Sequence, residues 1–225
     1  MAKISWDVEG QKYYEAGVDQ GVLFVKNGEG GKYANGVPWY GLINVEESPS
    51  GGEATALWAD NRKYGEVMST EEFAANIEAY YYPDEFEECD GSKEIAPGVF
   101  AGQQSRIPFG FTYRTKIGND TMGENAGYKI HLVYNAKAKP ASRANNTINE
   151  SVEARTLSWE CSTTPVAITK IEDAKPTAHL VIDSTKTDAN KLKALEELLY
   201  GTESKEPTLP SPDEVIELVG VAAAG

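Results

Sequence analysis

Two runs decide the fold class: IPFGFTYRTK (Ile107–Lys116) and YKIHLVYNAK (Tyr128–Lys137). In the first, Ile107, Phe109, Phe111 and Tyr113 recur at every second position. In the second, Tyr128, Ile130, Leu132 and Tyr134 do the same. A period of two places each set on one face of a β-strand. Two such strands in succession read as an antiparallel pair.

The rest of the chain follows the same rhythm. Gly21–Lys26 (GVLFVK) is a short apolar strand. Tyr40–Glu46 and Glu53–Asp60 flank a Ser48–Gly52 turn and read as a hairpin. Ser69–Tyr82 is ambiguous. Ser69 and Glu72 have capping-box spacing, but Phe73, Ala75, Ile77, Ala79 and Tyr81 alternate, and the tyrosine run before Pro83 favours a strand. Asp84–Cys89 then forms a single helical turn closed by Gly91. Val152–Cys161 sets Leu157 and Trp159 on one side, and Ala178–Asp183 (AHLVID) is a further strand. Asp188–Tyr200 has helical spacing, with Leu192, Leu195, Leu198 and Leu199 on one face and Gly201 as its stop. A proline-rich linker, Glu203–Pro212, leads to a short helix at Pro212–Val219. The expected architecture is mainly β: an antiparallel β-sandwich over residues 1–169 with one short flanking helix. A C-terminal extension over 170–225 adds a strand, an amphipathic helix, the linker and the last short helix.

Composition narrows the function. The 225 residues include 21 Lys or Arg and 35 Asp or Glu, a formal charge of −14. That balance argues against tight binding to nucleic acid or to an anionic membrane, both of which require cationic contacts. It is compatible with a wall past which nucleic acid slides without adhering. No apolar run approaches the roughly 18 residues of a membrane span. The start MAKISWDVEGQKYY has no apolar signal core, which argues against secretion. Cys89 and Cys161 form neither a disulfide framework nor a zinc pattern, and read as reduced thiols of a cytoplasmic product.

No motif for catalysis or for a cofactor emerges. His131, between Ile130 and Leu132, reads as a solvated strand residue. His179 opens the AHLVID strand with no partner motif beside it. Neither lies in a metal-binding spacing. Gly28–Lys32 lacks the first glycine and the terminal Ser or Thr of a phosphate loop, and reads as a hairpin turn. Asp84, Glu85, Glu87, Glu88 and Asp90 have the composition of a calcium site without EF-hand spacing. The four tryptophans and twelve tyrosines suit core and interface packing.

Charge is segregated. Residues 71–94 hold nine acidic side chains and one Lys, whereas residues 103–143 hold seven Lys or Arg and two acids. Such blocks are either solvated faces or complementary surfaces on identical subunits. A head-to-tail contact of the second kind builds rings or filaments. Candidates for such inter-subunit contacts are Glu85, Glu87, Glu88, Arg106, Arg114, Lys116, Lys139 and Arg143.

Several long segments occur in one order that resembles the major tail protein of long-tailed, non-contractile bacteriophages. They are SWDVEGQKYYEAGVDQGVLF (5–24), YGLINVEESPSGGEATALWADNRKY (40–64), STEEFAANIEAYYYPDEFEECDGSKEIAPGV (69–99), GQQSRIPFGFTYRTKIGNDT (102–121), GYKIHLVYNAKAKP (127–140) and LSWECSTTPV (157–166). The resemblance implies a virion protein made in the host cytoplasm. It implies homo-hexameric rings that stack into a tube around a tape-measure protein. Tail terminator and distal tail proteins close the ends, and viral DNA passes through without sequence-specific binding. It also implies that two hairpins per subunit line the lumen. By chain order these are 40–60, with Asn44, Glu46, Glu53 and Thr55 facing inward, and 107–137. The second carries Arg114, Lys116, Lys129 and Lys137 on its polar side, which sets positive charge against the expected lumen. Ring stacking would use Ser48–Gly52, the 118–127 loop and the 138–151 loop. A terminator or distal ring of the same fold is the nearest alternative, and a surface- or carbohydrate-binding sandwich a more distant one.

Overall fold

The computed structural model describes residues 4–27, 31–148 and 153–220. Its strands are β1 (Tyr14–Val25), β2 (Val37–Trp39), β3 (Leu42–Glu47), β4 (Ala54–Ala59), β5 (Arg62–Met68), β6 (Ala74–Ala79), β7 (Lys93–Ala96), β8 (Val99–Ala101), β9 (Phe109–Asn119), β10 (Gly123–Ala138), β11 (Leu157–Ser162) and β12 (His179–Asp183). Two helices follow, α1 (Ala189–Tyr200) and α2 (Pro212–Val219). The fold is mainly β and every strand pairing is antiparallel.

The hairpin of β9 and β10 is the centre of the molecule. Its register sets His131 opposite Tyr113 and Val133 opposite Phe111 on one face, and Ile130 opposite Arg114 on the other. β1 pairs with the free side of β9, and β12 with β10. Near its end β10 bulges at Asn135, where φ is +48°, and its last residues pair with β11 instead. A second sheet, β11–β6–β3, continues from there. The strand β10 therefore belongs to two sheets, and its bulge turns it from one into the other.

Each face of the first sheet covers a core. Toward the second sheet lie Leu23, Val25, Phe109, Phe111, Tyr113 and Val133, packed on Ile77, Ala79, Leu157 and Trp159. Phe86, from a 3₁₀ turn at Asp84–Phe86, fills the centre, with ring centroids 4.6 Å from Trp39, 5.2 Å from Phe109 and 5.2 Å from Trp159. Cys89 and Cys161 lie in the same core as free thiols, which burial pushes up to about 12. On the opposite face Val22, Phe24, Ile130, Leu132, Tyr134 and Ile182 meet Leu192, Leu195 and Leu199 of α1 together with Leu209 and Val215. The layers thus run helices, sheet, sheet.

Residues 170–225 are continuous with this body over their described length. β12 is a strand of the first sheet, and α1 and α2 supply one of the two cores. Asp188 caps α1 by accepting from the amides of Asn190 and Lys191, and Gly201 ends it with φ +77°. Ser211 and Glu214 close a reciprocal capping box on α2.

The sequence reading needs one correction of pairing. β3 and β4 are strands, but not partners. β3 pairs with β6 and β4 pairs with β5. The chain runs out along β3, bends at Gly51 and Gly52, forms the β4–β5 arm, and returns at Ser69 to run back along β6. Ser48 donates to Ala74, and Ser50 and Glu72 exchange backbone hydrogen bonds at the base of the arm. Gly51 and Gly52 have φ of +84° and +70°, and a Cβ on Gly51 would come within 2.3 Å of the Thr70 carbonyl oxygen, so glycine is required at the bend. The true reversal is Asp60-Asn61, both at positive φ (+50° and +58°), as a two-residue hairpin turn demands. The 118–127 segment, expected as a loop, is mostly strand, with a short reversal at Asp120–Met122. The expected turn at 28–32 and the far end of the 138–151 loop fall partly outside the described residues.

If α1 secures the second core, Leu195→Ala should lower unfolding free energy by about 2–5 kcal/mol, while exposed Lys193→Ala should change it by less than about 0.5 kcal/mol. Urea denaturation of both variants checks this, and equal effects would contradict the packing of α1.

Candidate functional site

The sequence-selected residues divide into an outward sheet face and a set of ion pairs. On β3, Asn44 and Glu46 point away from the core, opposite Glu78 and Asn76 of β6. Those in turn face Ser158 and Glu160 of β11. The outer surface of the second sheet is therefore polar, with Ser158 donating to Asn76 Oδ1 at 2.8 Å. Glu46, Glu78 and Glu160 supply its negative charge, and Lys139 pairs with Glu160. Glu53 and Thr55 do not share this face. They belong to the β4–β5 arm, where Thr55 lies opposite Val67.

Six of the basic residues, Arg106, Arg114, Lys116, Lys129, Lys139 and Arg143, find acids within their own chain. Arg114 donates to both carboxylate oxygens of Asp19, at 2.7 and 2.9 Å, and lies 5.0 Å from the Tyr128 ring centroid. Lys116 pairs with Glu124 at 3.4 Å and Lys129 with Glu15. This accounts for three of the four cations expected on the second hairpin; Lys137, exposed and opposite Ser162, has no ion pair among the described residues. Arg114 lies on the helix side, and intrachain carboxylates neutralise Arg114, Lys116 and Lys129. Arg106 and Arg143 both reach Asp90, so the acidic and basic blocks meet inside one subunit there. Glu87 accepts from the Tyr82 hydroxyl at 2.8 Å. Glu85 and Glu88 remain exposed.

Two apolar arms stand out from the body. The β4–β5 arm exposes Leu57, Val67 and Met68, and its Trp58 and Tyr64 are 72% and 74% exposed. The smaller β7–β8 hairpin exposes Ile95, Val99 and Phe100. Two-stranded ribbons are marginal in water on their own, and clustered exposed apolar side chains mark interaction surfaces. The β4–β5 arm was missed in the sequence because Arg62–Met68 carries few consecutive apolar residues. The Asp60-Asn61 turn was the available signal.

The two histidines come together, against expectation. His131 is buried, on the face of β10 that looks into the first core, because Ile130, Leu132 and Tyr134 occupy the helix side. Both faces of β10 are covered, so the polar side of the pattern is not a wet side. His131 Nδ1 lies 3.1 Å from His179 Nε2 and 3.2 Å from Glu47 Oε1. Glu47 points inward because it follows Val45 by two on β3. It also accepts from the Tyr113 hydroxyl at 2.8 Å. Burial, the neighbouring imidazole and Lys129 push His131 down to about 4, against the opposing pull of Glu47 and Glu15. Burial likewise lowers His179. Both rings are neutral at physiological pH.

No family model and no curated protein matches this chain. No helix among the described residues is long and apolar enough to cross a membrane.

The Arg114–Asp19 pair has a defined acid dependence. Arg114 holds the Asp19 carboxyl below its ordinary value of 3.8, by hydrogen bonding more than by charge alone. A folded pKa below the unfolded one contributes stability above the ordinary value and loses it as pH falls through the lowered one. Arg114→Gln should cost about 1 kcal/mol at neutral pH, modest because the pair is partly solvated. Denaturation across a pH series should show the difference narrowing below pH 3.8. A difference constant with pH would assign the effect to packing on Tyr128.

Proposed function

We propose that this chain is a structural subunit that assembles with copies of itself into stacked hexameric rings, forming the tail tube of a non-contractile bacteriophage. The observation that carries this reading is the β4–β5 arm. It presents an exposed Trp, Tyr, Leu, Val and Met on a ribbon that extends beyond both cores. A second copy is the occupant that fits, because an arm on one subunit meeting a different surface on the next makes a heterologous contact, which closes into rings or stacks into filaments. The ordered resemblance of the sequence points the same way.

The outer face of the second sheet suits the lumen of such a tube. Asn44, Glu46, Asn76, Glu78, Ser158 and Glu160 offer hydrogen-bonding and weakly acidic groups, and Lys139 is already occupied by Glu160. Lys137, opposite Ser162, adds a single cation beside three glutamates, so phosphate meets no cationic array there and DNA can move without the counterion release that drives binding. Edge strand β3 would pair with a neighbouring subunit, which removes an edge otherwise open to aggregation. In this reading a tape-measure protein fills the lumen before DNA does, terminator and distal proteins close the ends, and the finished protein resides in the virion.

Negative-stain electron microscopy across a concentration series, with light scattering for mass, tests the proposal. Wild-type protein should give hollow tubes with a regular ring repeat. Trp58→Asp should remain monomeric with an unfolding free energy within about 0.5 kcal/mol of wild type. Single closed rings would point to a terminal ring of the tail. A wild-type monomer at every concentration, or tubes unaffected by Trp58→Asp, would count against the arm as the contact.

A further inference from the structure

The geometry points to a binding site for one divalent cation of the zinc class, formed by Glu47, His131 and His179, with a water as the fourth ligand. The three side chains come from β3, β10 and β12, and one donor atom from each lies within 4.8 Å of the others. Metal–nitrogen and metal–oxygen bonds of about 2.0–2.1 Å set the ligand atoms of a tetrahedron about 3.3 Å apart. The observed separations, 3.1 Å from His131 Nδ1 to His179 Nε2 and 3.2 Å from His131 Nδ1 to Glu47 Oε1, are close to two edges of that tetrahedron.

The surroundings are those of a ligand shell. His131 Nε2 lies 3.0 Å from Thr115 Oγ1. When Nε2–H donates to that hydroxyl, the lone pair rests on Nδ1, facing the cluster. His179 offers Nε2 by carrying its proton on Nδ1, which lies 3.8 Å from Glu47 Oε2. Loading therefore shifts a proton between the two nitrogens of one ring and releases none. Stacking fixes both ring planes: His131 on Tyr113 at 4.4 Å and 7°, His179 on Phe73 at 4.4 Å and 25°. The Tyr113 hydroxyl orients the Glu47 carboxylate. Glu47 is 39% exposed, which leaves one open side for entry of the ion and for the water. Two imidazoles and a carboxylate suit zinc or cobalt over magnesium or calcium, which favour all-oxygen sets.

A cation here would join the second-sheet edge strand β3 to β12 of the first sheet. Glu47 is also the last residue of β3, the strand that leads into the bend at the base of the β4–β5 arm. The site would thus fix the root of that arm, whatever the arm contacts.

The test uses the full chain, stripped with chelator and dialysed. Zinc titrated by calorimetry should bind one equivalent per chain at micromolar concentrations and raise the melting temperature. Cobalt at the same ratio should give the visible absorption bands of tetrahedral coordination. Glu47→Gln and His179→Gln, each confirmed as folded by near-ultraviolet circular dichroism, should each weaken binding at least ten-fold. Absence of stoichiometric zinc binding to wild type would overturn the proposal. Binding retained at full strength in the Glu47→Gln/His179→Gln double variant would overturn it equally, by placing the ion elsewhere.

Discussion

The structure depends on burying both faces of the β9–β10 hairpin at once. A sheet with one wet face needs a single hydrophobic stripe per strand. Here β9 turns Phe109, Phe111 and Tyr113 toward the second sheet, while β10 turns Ile130, Leu132 and Tyr134 toward the helices and still commits His131 and Val133 to the opposite side. Everything else follows from covering those two surfaces. The second sheet, with the Phe86 plug and its tryptophan neighbours, covers one. The leucine face of α1, with Leu209 and Val215, covers the other. The bulge at Asn135 lets a single strand serve both sheets. The Asn135 side chain is occupied there, with Oδ1 accepting from the Tyr33 hydroxyl at 3.2 Å and Nδ2 donating to the Thr164 carbonyl at 3.1 Å.

What could be read in the sequence follows from the same constraint. The β9–β10 pair, β6, β12 and α1 were legible because each has one sustained periodic stripe. In β6 the alternation of Ala75, Ile77 and Ala79 prevailed over the Ser69–Glu72 capping pattern. Leu192, Leu195 and Leu199 of α1 are buried as expected, with Leu198 at the margin. Pairing was less legible. Ser48–Gly52 contains strong turn residues but acts as a bend within a longer ribbon, whereas the Asp60-Asn61 reversal is a weaker signal in composition and a stronger one in geometry. Strand propensity says where strands lie; partner choice is set by tertiary packing.

The site residues show a comparable split. Asn44 and Glu46 lie together on the outer face of the second sheet, since alternation on β3 fixes their face. Glu53 and Thr55 were carried along by the assumed hairpin and belong to a different ribbon. All but Lys137 of the basic residues grouped by sequence density fall into separate intrachain pairs, because sequence proximity says nothing about the carboxylates brought in from β1 or from Asp90. The Glu47–His131–His179 cluster left no trace in spacing: its members are 84 and 48 positions apart (131 − 47 and 179 − 131) and meet only through strand register and sheet packing.

Charge and apolar surface then divide the labour within one subunit. Where cations and anions are both abundant, as at Asp90 and along β9–β10, they are paired at home, so they offer little free charge for joining another copy. Surface ion pairs would in any case contribute little to association, about 0–1 kcal/mol each. Apolar contacts behave differently. Each fully buried large side chain contributes roughly 1.5–3 kcal/mol, and the β4–β5 arm carries five that its own chain leaves exposed. The energetically consequential surface is therefore the apolar arm, and the charged faces are better suited to excluding unwanted partners. The proposed tube wall would need both properties in separate places: adhesion between subunits and indifference toward a polyanion moving through it.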